Sequence, residues 1–586
     1  MAKKFKVYWG IFLFILAFPS IMFAQAPTWH SDELIENNPG FNGFYPQVAM
    51  TENNVVAVWY QLDGNDNYRI YSNYSSDGGA AWNAAQLIDN HPGFDAYSPQ
   101  VAISGDNVVA VWMQSDGSGN YRIYSNYSSD GGAVWNAAAQ LIDDHPGFSG
   151  GFPQVAMSGN NVVVAWTQED ATGFQRVYAD YSTDGGATWH ADSLLEDNTG
   201  YDGWFTQVAM SGNHVVVVWY QPDAASFRIY SNYSSDGGVS WNADQPINTD
   251  NSGYVPEVAI SGLNVVAVWA GYAAGIFRIY SNCSSDGGAS WGANQLIEDN
   301  GASGYNPQVA VSGISAVAVW QQSDGTTNRI YSNCSSDGGA TWNGDQLIED
   351  NEGYSGGFPQ TAMSGNHVAA VWTQWDENDS YRIYSNYSTN GGVAWGSDQL
   401  IEDNAGYGAD YPQLAMSGNN LVAVWRQRDG QETLRIYSNY ASFEPDHHFV
   451  DIYIDIKPGS CPNPVNVRSA GILPVAVLGT MGFDVSTIDP DTIRLSREGV
   501  ESQIPPLRRS YEDVGTPFEG EPCGCHALNG DGHEDLSLKF DMRALITALK
   551  LEEVVEDTLP LTLTGNLKEE FGGSPFKGQD CVWVLK

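Results

Sequence analysis

Ser75-Ser76-Asp77-Gly78-Gly79-Ala80-Ala81-Trp82 is the first copy of a phrase, Ser-x-Asp-x-Gly-x-x-Trp, that returns with its tryptophan at Trp135, Trp189, Trp241, Trp291, Trp342 and Trp395. A short carboxylate at the start of a tight turn accepts backbone N–H bonds, the Gly permits positive φ, and the Trp anchors the turn to a sheet. The last copy carries Asn390 in place of the Asp. An amide makes the same turn but cannot do acid–base work, so the phrase reads as a folding device. Around it the chain repeats a unit of about 52 residues. Each unit supplies four apolar runs, in the first copy Pro46 to Met50, Val55 to Tyr60, Arg69 to Ser75 and Trp82 to Ile88, split by Gly, Asn and Asp turns. A four-stranded meander cannot bury both its faces alone, so the copies must stack radially.

The first run recurs near Pro46, Pro99, Pro153, Thr206, Pro256, Pro307, Pro359 and Pro412, and the third at Arg69, Arg122, Arg176, Arg228, Arg278, Arg329, Arg382 and Arg435. The Asp phrase is one copy short. Pro27 to Ile35 resembles the segment after each phrase, so the N-terminal strand is expected to complete the last blade and leave no open sheet edge. The expectation is an all-β chain: an eight-bladed β-propeller of four-stranded antiparallel blades over residues 27–442, closed by its N-terminal strand. Tryptophans recur at two positions, one in the second run (Trp59, Trp112 and their copies) and one ending the phrase. Large flat side chains at fixed positions fill the space between splayed sheets, so these are core.

The phrase resembles the bacterial neuraminidase repeat, or Asp-box, over roughly residues 27 to 440, and places the chain in the sialidase-like superfamily. The repeat is shared by sialidases, other glycoside hydrolases, lectin-like propellers and sorting receptors, so the resemblance implies the fold and leaves activity open. In sialidases the Asp-boxes lie on the face opposite the active site. The turns between second and third strands and the loops between blades would then carry any site here.

Beside the repeated Pro-Gln that face gathers aromatics such as Phe44, Tyr45, Tyr97, Phe152 and Tyr411. With Gln47, Gln100, Gln154, Gln207, Gln308, Gln360 and Gln413, and with the departures Trp204 and Trp375, they form a candidate sugar-binding ring. The alternative is that the rings only pack the top of the core. A sialidase needs an arginine cluster, a Tyr nucleophile polarised by Glu, and an Asp acid–base. The family's first arginine stands in Phe/Tyr-Arg-Ile-Pro; the nearest match, Tyr68-Arg69-Ile70-Tyr71, lacks the Pro and recurs in nearly every copy. That arginine has a nearer structural partner in a hairpin aspartate, Asp63 before Arg69 and its copies. Glu257, Arg426 and Arg428 are the weak catalytic candidates, being charged departures from a regular array.

Net charge is -44, and no lysine occurs between Val7 and Ile456. Nucleic acid and anionic membranes need a basic face and are poor partners. Lys3, Lys4 and Lys6, the apolar run Trp9 to Phe23 and the small Ala24 read as an export signal over residues 1–24, after whose removal no membrane span is expected; an uncleaved anchor is the alternative. Cys283 and Cys334 replace a repeated Tyr and read as thiols, whereas Cys461, Cys523, Cys525 and Cys581 could form bridges whose pairing the sequence leaves open.

Residues 450–586 carry further strand patterns and a short helix near Met542 to Leu549 with Asp541 as N-cap, which read as a β-sandwich-like accessory domain. Within it Asn529-Gly530-Asp531-Gly532-His533-Glu534-Asp535 resembles the middle of a calcium loop, making Asn529, Asp531 and Asp535 candidate metal ligands; a plain hairpin turn is the alternative. No cofactor is otherwise expected. The function that these features favour is a secreted or cell-surface module binding a glycan or surface polysaccharide without catalysis, the rival being an exo-sialidase-type glycoside hydrolase.

Overall fold

The structure is a computed structural model describing residues 26–586, apart from 224–225, 250–251, 379, 405–406, 444–449, 481–482, 498–499, 501, 518–530 and 569–574. The expected export signal, Asn529, Cys523 and Cys525 lie outside the described residues. The chain divides into two compact units, one ending at Glu444 and one running from Pro445 to Lys586.

The first unit is built of antiparallel sheets, numbered here 1 to 8 in chain order. Sheet 1 consists of Gly43–Thr51, Asn54–Leu62, Tyr68–Ser75 and Gln86–Leu87, and sheets 2 to 7 repeat its strand order. Sheet 8 has Ala409–Ser417, Asn420–Arg428 and Leu434–Ser442, and its outer edge is supplied by Thr28–Trp29 and Glu33–Leu34 from the start of the chain. Such four-stranded antiparallel meanders are the form of propeller blades.

The second strand of each sheet is apolar without alternation because both of its faces are covered. In sheet 1, Val56 and Val58 pack with Val108 and Trp112 of sheet 2. Val55, Ala57 and Trp59 point the other way, onto Val422, Val424 and Ile436 of sheet 8. Successive residues therefore serve opposite neighbours, and the first and last sheets share a core.

The Asp phrase holds itself together. Ser75 Oγ donates to Asp77 Oδ1 at 2.7 Å, and Asp77 Oδ1 also accepts from the Ala81 N–H at 2.9 Å. Asn390 does the same for the Ala394 N–H at 2.9 Å. Gly79 has φ +93, and a Cβ there would come within 2.8 Å of Val422 Cγ2 in the neighbouring sheet. The glycine thus allows the turn and the close approach of two sheets.

The opposite face is tied by a second repeated network. Trp59 Nε1 donates to Gln61 Oε1 at 3.2 Å, and Gln61 Nε2 donates to Glu36 Oε2 at 3.1 Å and to the Phe41 carbonyl at 2.9 Å. Arg69 meets the expected Asp63 at 3.5 Å, yet its shorter bond, 2.6 Å, is to Asp89 just after the fourth strand. Asp143, Glu196, Glu298, Glu349, Glu402 and Glu36 serve the corresponding arginines of six other sheets. These buried pairs fix the loops that run from one sheet to the next.

In the second unit, one sheet orders Val450–Asp451, Pro575–Leu585, Thr558–Leu567 and Ile488–Arg497, with Pro464–Asn466 also on Pro575–Leu585. The other orders Tyr453–Ile456, Ile472–Leu478, Asp535–Asp541 and Arg508–Glu512. Both contribute to one core that includes Ile454, Val475, Leu538, Leu561, Phe576 and Val582. Asp541 caps the helix Met542–Ala548, accepting the Ala544 N–H at 2.9 Å. Cys461 and Cys581 are disulfide-bonded, and Cys283 and Cys334 are free.

Candidate functional site

Opposite the Asp phrases, the first strand of every sheet in the first unit makes the same break. In sheet 1 the ladder slips between Phe44 and Gln47, so that Tyr45 and Pro46 together face Trp59. Such a bulge bends the strand and re-aims its side chains. The residue before the repeated Pro position is left-handed in every copy: Tyr45, Ser98, Phe152, Phe205, Val255, Asn306, Phe358 and Tyr411 all lie at φ 47 to 53. Non-glycine residues adopt this conformation at a cost of roughly 1–3 kcal/mol each. The geometry turns several apolar rings outward, with Phe152 65% and Phe205 56% exposed.

The glutamines two residues further on share one register position on the innermost strands: Gln47, Gln100, Gln154, Gln207, Gln308, Gln360 and Gln413, with Glu257 as the eighth member. Glu257 Oε1 accepts from Gln207 Nε2 at 3.1 Å and from Gln308 Nε2 at 3.2 Å. Burial pushes the pKa of this carboxyl up to about 8, which favours its uncharged form.

Next to this ring runs a row of bulky cross-strand pairs: Phe44 with Tyr60, Tyr97 with Met113, Trp204 with Tyr220, Tyr305 with Gln321. Sheet 3 interrupts the row with Gly151 paired to Thr167. A cavity of about 580 Å³ opens there, bounded by sheets 2, 3 and 4. Phe152, Trp204 and Phe205 give it aromatic walls, and Gln154, Gln175 and Gln207 supply amides. Trp204 and Phe205 are braced from behind by Tyr220, with ring centroids 5.6 Å away in each case. Thr206 also lines the cavity, standing where seven copies carry Pro. It is 3% exposed, and its buried hydroxyl has no hydrogen-bond partner within the protein. No charged residue lines the cavity among the described residues.

Sheet 7 repeats the Gly-Gly-Phe-Pro-Gln of sheet 3 and pairs Gly357 with Thr373. There the gap is filled. Gln321 Oε1 lies 2.8 Å from where a Gly357 Cβ would be and accepts the Phe358 N–H at 3.2 Å. At Gly151 the nearest such atom is Met113 Sδ, at 3.5 Å.

The structure brings Gln154, Trp204 and Gln207 together at the cavity, and Gln207, Gln308 and Glu257 at the innermost ring. The remaining glutamines keep their register positions in other sheets. Trp375 packs on Tyr381 in sheet 7, with centroids 4.0 Å apart, and is not part of the cavity lining. Arg426 is committed elsewhere: its Nε and Nη2 bind Asp410 at 2.5 and 2.9 Å, and its guanidinium lies 4.5 Å from the Tyr411 ring centre. Arg428 is half exposed at its side chain and meets Glu432 at 3.4 Å. Glu257 in sheet 5 and these arginines in sheet 8 do not assemble into one site. The residues missed by sequence reasoning are Gly151, Thr167 and Thr206, departures toward small size that a search for charged or aromatic departures passes over.

In the second unit the Asp535 carboxylate accepts the Gly479, Val514 and Gly515 N–H groups at 2.9, 2.7 and 3.1 Å. Asp531 accepts the His533 N–H of its own turn at 3.0 Å. Both oxygens of Asp535 thus accept backbone N–H groups. Among the described residues no group of three or more His, Cys, Asp or Glu is placed to hold a metal ion. No described helix is long and apolar enough to cross a membrane.

A family model described as BNR/Asp-box repeat matches residues 180–191. No curated protein matches the chain significantly. Among solved structures, a Dyadobacter fermentans protein of unknown function is 13% identical, with 71% of this chain and 99% of that one covered and a TM-score of 0.37. The GH93 α-L-arabinofuranosidase of Fusarium graminearum is 15% identical, covering 50% and 92%, with a TM-score of 0.33. A Trypanosoma rangeli sialidase is 12% identical, covering 52% and 55%, with a TM-score of 0.31. These likenesses are too distant to assign an activity. The copy of the phrase in sheet 3, which shapes its turn as described above, is a BNR/Asp-box repeat.

Proposed function

We propose that the chain is an exported Asp-box protein, extracellular or held at the cell surface, that binds carbohydrate without cleaving it. In this reading the sheets of residues 27–442 close into an eight-bladed propeller, and residues 450–586 form a β-sandwich-like accessory domain. The observation that carries it is the convergence of departures from the repeat: Gly151, Thr167, Trp204 and Thr206 meet at one cavity on the face opposite the Asp phrases. Aromatic walls take the apolar face of a sugar ring, and the amides take its hydroxyl groups. Ordinary glycoside hydrolysis needs two carboxyl groups flanking the scissile bond. Among the described residues none lines this cavity. A net charge of -44 supports solubility and weighs against nucleic acid as a partner.

On a glycan array the purified protein is expected to bind a defined subset of glycans, and Trp204→Ala to lower that binding at least about tenfold, the loss of one good aromatic contact. Fluorogenic sialosides and arabinosides should release no fluorophore. Turnover that is lost in a Glu257→Gln or Arg426→Ala variant would establish the hydrolase reading instead.

A further inference from the structure

The same cavity carries a statement about ligand class, which rests on the carbohydrate reading above: we infer that it takes an uncharged saccharide and rejects uronates and sialosides. A desolvated carboxylate must be paired with a cation or several N–H donors. Among the described residues the cavity lining offers neither a lysine nor an arginine. The arginines of the three bounding sheets are already occupied, Arg122 by Asp143, Arg176 by Asp170 and Glu196, and Arg228 by Asp223. The carboxyls next to the lining residues, Glu257 bonded to Gln207 and Asp202 bonded to the Gln175 N–H, add negative charge whenever they ionise. An anionic sugar would therefore leave water for a site with no counter-charge. A neutral ring loses nothing of this kind.

The polar groups present suit hydroxyls. Thr206 Oγ1 is sealed from solvent, so hydroxyl recognition at the cavity falls to the amides. Gln154 and Gln175 each carry both a donor and an acceptor, the combination that a hydroxyl group matches from either side, while Gln207 already gives one N–H to Glu257. An aliphatic ligand would use the rings of Phe152, Trp204 and Phe205 but leave these amides unpaired. The volume of about 580 Å³ lies within the range of small-ligand cavities and accommodates a short oligosaccharide.

Size selection rests on Gly151. Its φ is not left-handed, and five other copies carry an aromatic at its position, so Gly151→Tyr restores the row without backbone strain and closes the cavity. The same change in sheet 7, Gly357→Tyr, meets only the mobile end of Gln321 and serves as the control.

The test is calorimetric titration of the full chain with matched pairs: neutral gluco-, xylo- and arabino-oligosaccharides against the corresponding glucuronate-capped oligosaccharides and sialyllactose. A neutral member is expected to bind, with its charged counterpart at least tenfold weaker. Gly151→Tyr should abolish neutral binding at unchanged melting temperature, and Gly357→Tyr should leave it intact. Equal or tighter binding of the charged member, or neutral binding that survives Gly151→Tyr, overturns the inference and leaves the carbohydrate reading standing. Failure of every glycan, neutral and charged, on the array and in titration removes both.

Discussion

At the residue position that begins the hairpin between first and second strands, Glu52 holds φ 51 where the other copies have Gly105, Gly159, Gly212, Gly262, Gly313, Gly365 and Gly418. A left-handed L-residue costs roughly 1–2 kcal/mol, part of which glycine gives back as unfolded-state entropy. Glu52→Gly is therefore expected to stabilise the chain by about 0.5–1 kcal/mol, seen as a higher urea midpoint with unchanged slope. A lower midpoint would show that the glutamate side chain contributes more than its backbone costs. The turn role of Asp77 and the core role of Trp59 were legible in the sequence because the phrase recurs seven times, once with Asn390 in place of the Asp, and the tryptophan recurs in all eight copies. The cavity was not legible, because Gly151, Thr167 and Thr206 act through bulk and a ring that they lack. Absence of bulk matters only once the neighbours, Met113 on one side and Trp204 on the other, are known in space.

At the scale of the element, the strands followed from their apolar runs, while the loops between sheets hid their chemistry. Arg69 was matched to the near hairpin partner Asp63, yet its closer partner Asp89 comes from the loop that leads to the next sheet, 20 residues on. The same loops bring carboxylates together: the Asp299 N–H donates to Asp345 Oδ2 at 3.2 Å, the Asp197 N–H to Asp244 at 3.0 Å and the Asp350 N–H to Asp398 at 3.1 Å. Burial, and then the neighbouring Asp299, raises Asp345 to about 6; Asp244 and Asp398 are raised as well, first by burial. A folded-state pKa above the unfolded one gives stability that is complete below about 4 and is lost as pH rises through the folded value. The loops should hold most firmly in mild acid. Asp345→Asn, which copies the neutral Asn294 of sheet 5, is expected to raise stability at pH 7–8 by on the order of 1 kcal/mol after solvent screening. The gain should shrink toward zero near pH 4, and a gain independent of pH between 4 and 8 would show that the two carboxyl groups do not interact in the folded chain.

For the whole molecule, the count of repeats mattered more than any one of them. Seven Asp phrases against eight first strands implied that the chain's start completes its last sheet, and Thr28–Trp29 and Glu33–Leu34 do pair with Leu434–Ser442. The join has specific chemistry: the His30 N–H donates to Asn439 Oδ1 at 3.1 Å, Asn439 Nδ2 donates back to the His30 carbonyl at 2.6 Å, and Ile35 is buried with Trp59 and Ile436. Sheet 1 and sheet 8 share that core, so losing the join exposes both. Deleting residues 26–35 removes a buried Ile, a partly buried Trp and several ladder bonds, a loss on the order of 5 kcal/mol. The truncated protein should unfold at a lower temperature, with amide exchange rising first in sheets 8 and 1. A synthetic peptide of residues 26–36 added in excess should restore the midpoint by binding the vacated edge of Leu434–Ser442, with a concentration dependence set by its own affinity. If exchange instead rises evenly over all sheets and the peptide has no effect, the strand is an ornament of the edge and the sheets hold their arrangement without it.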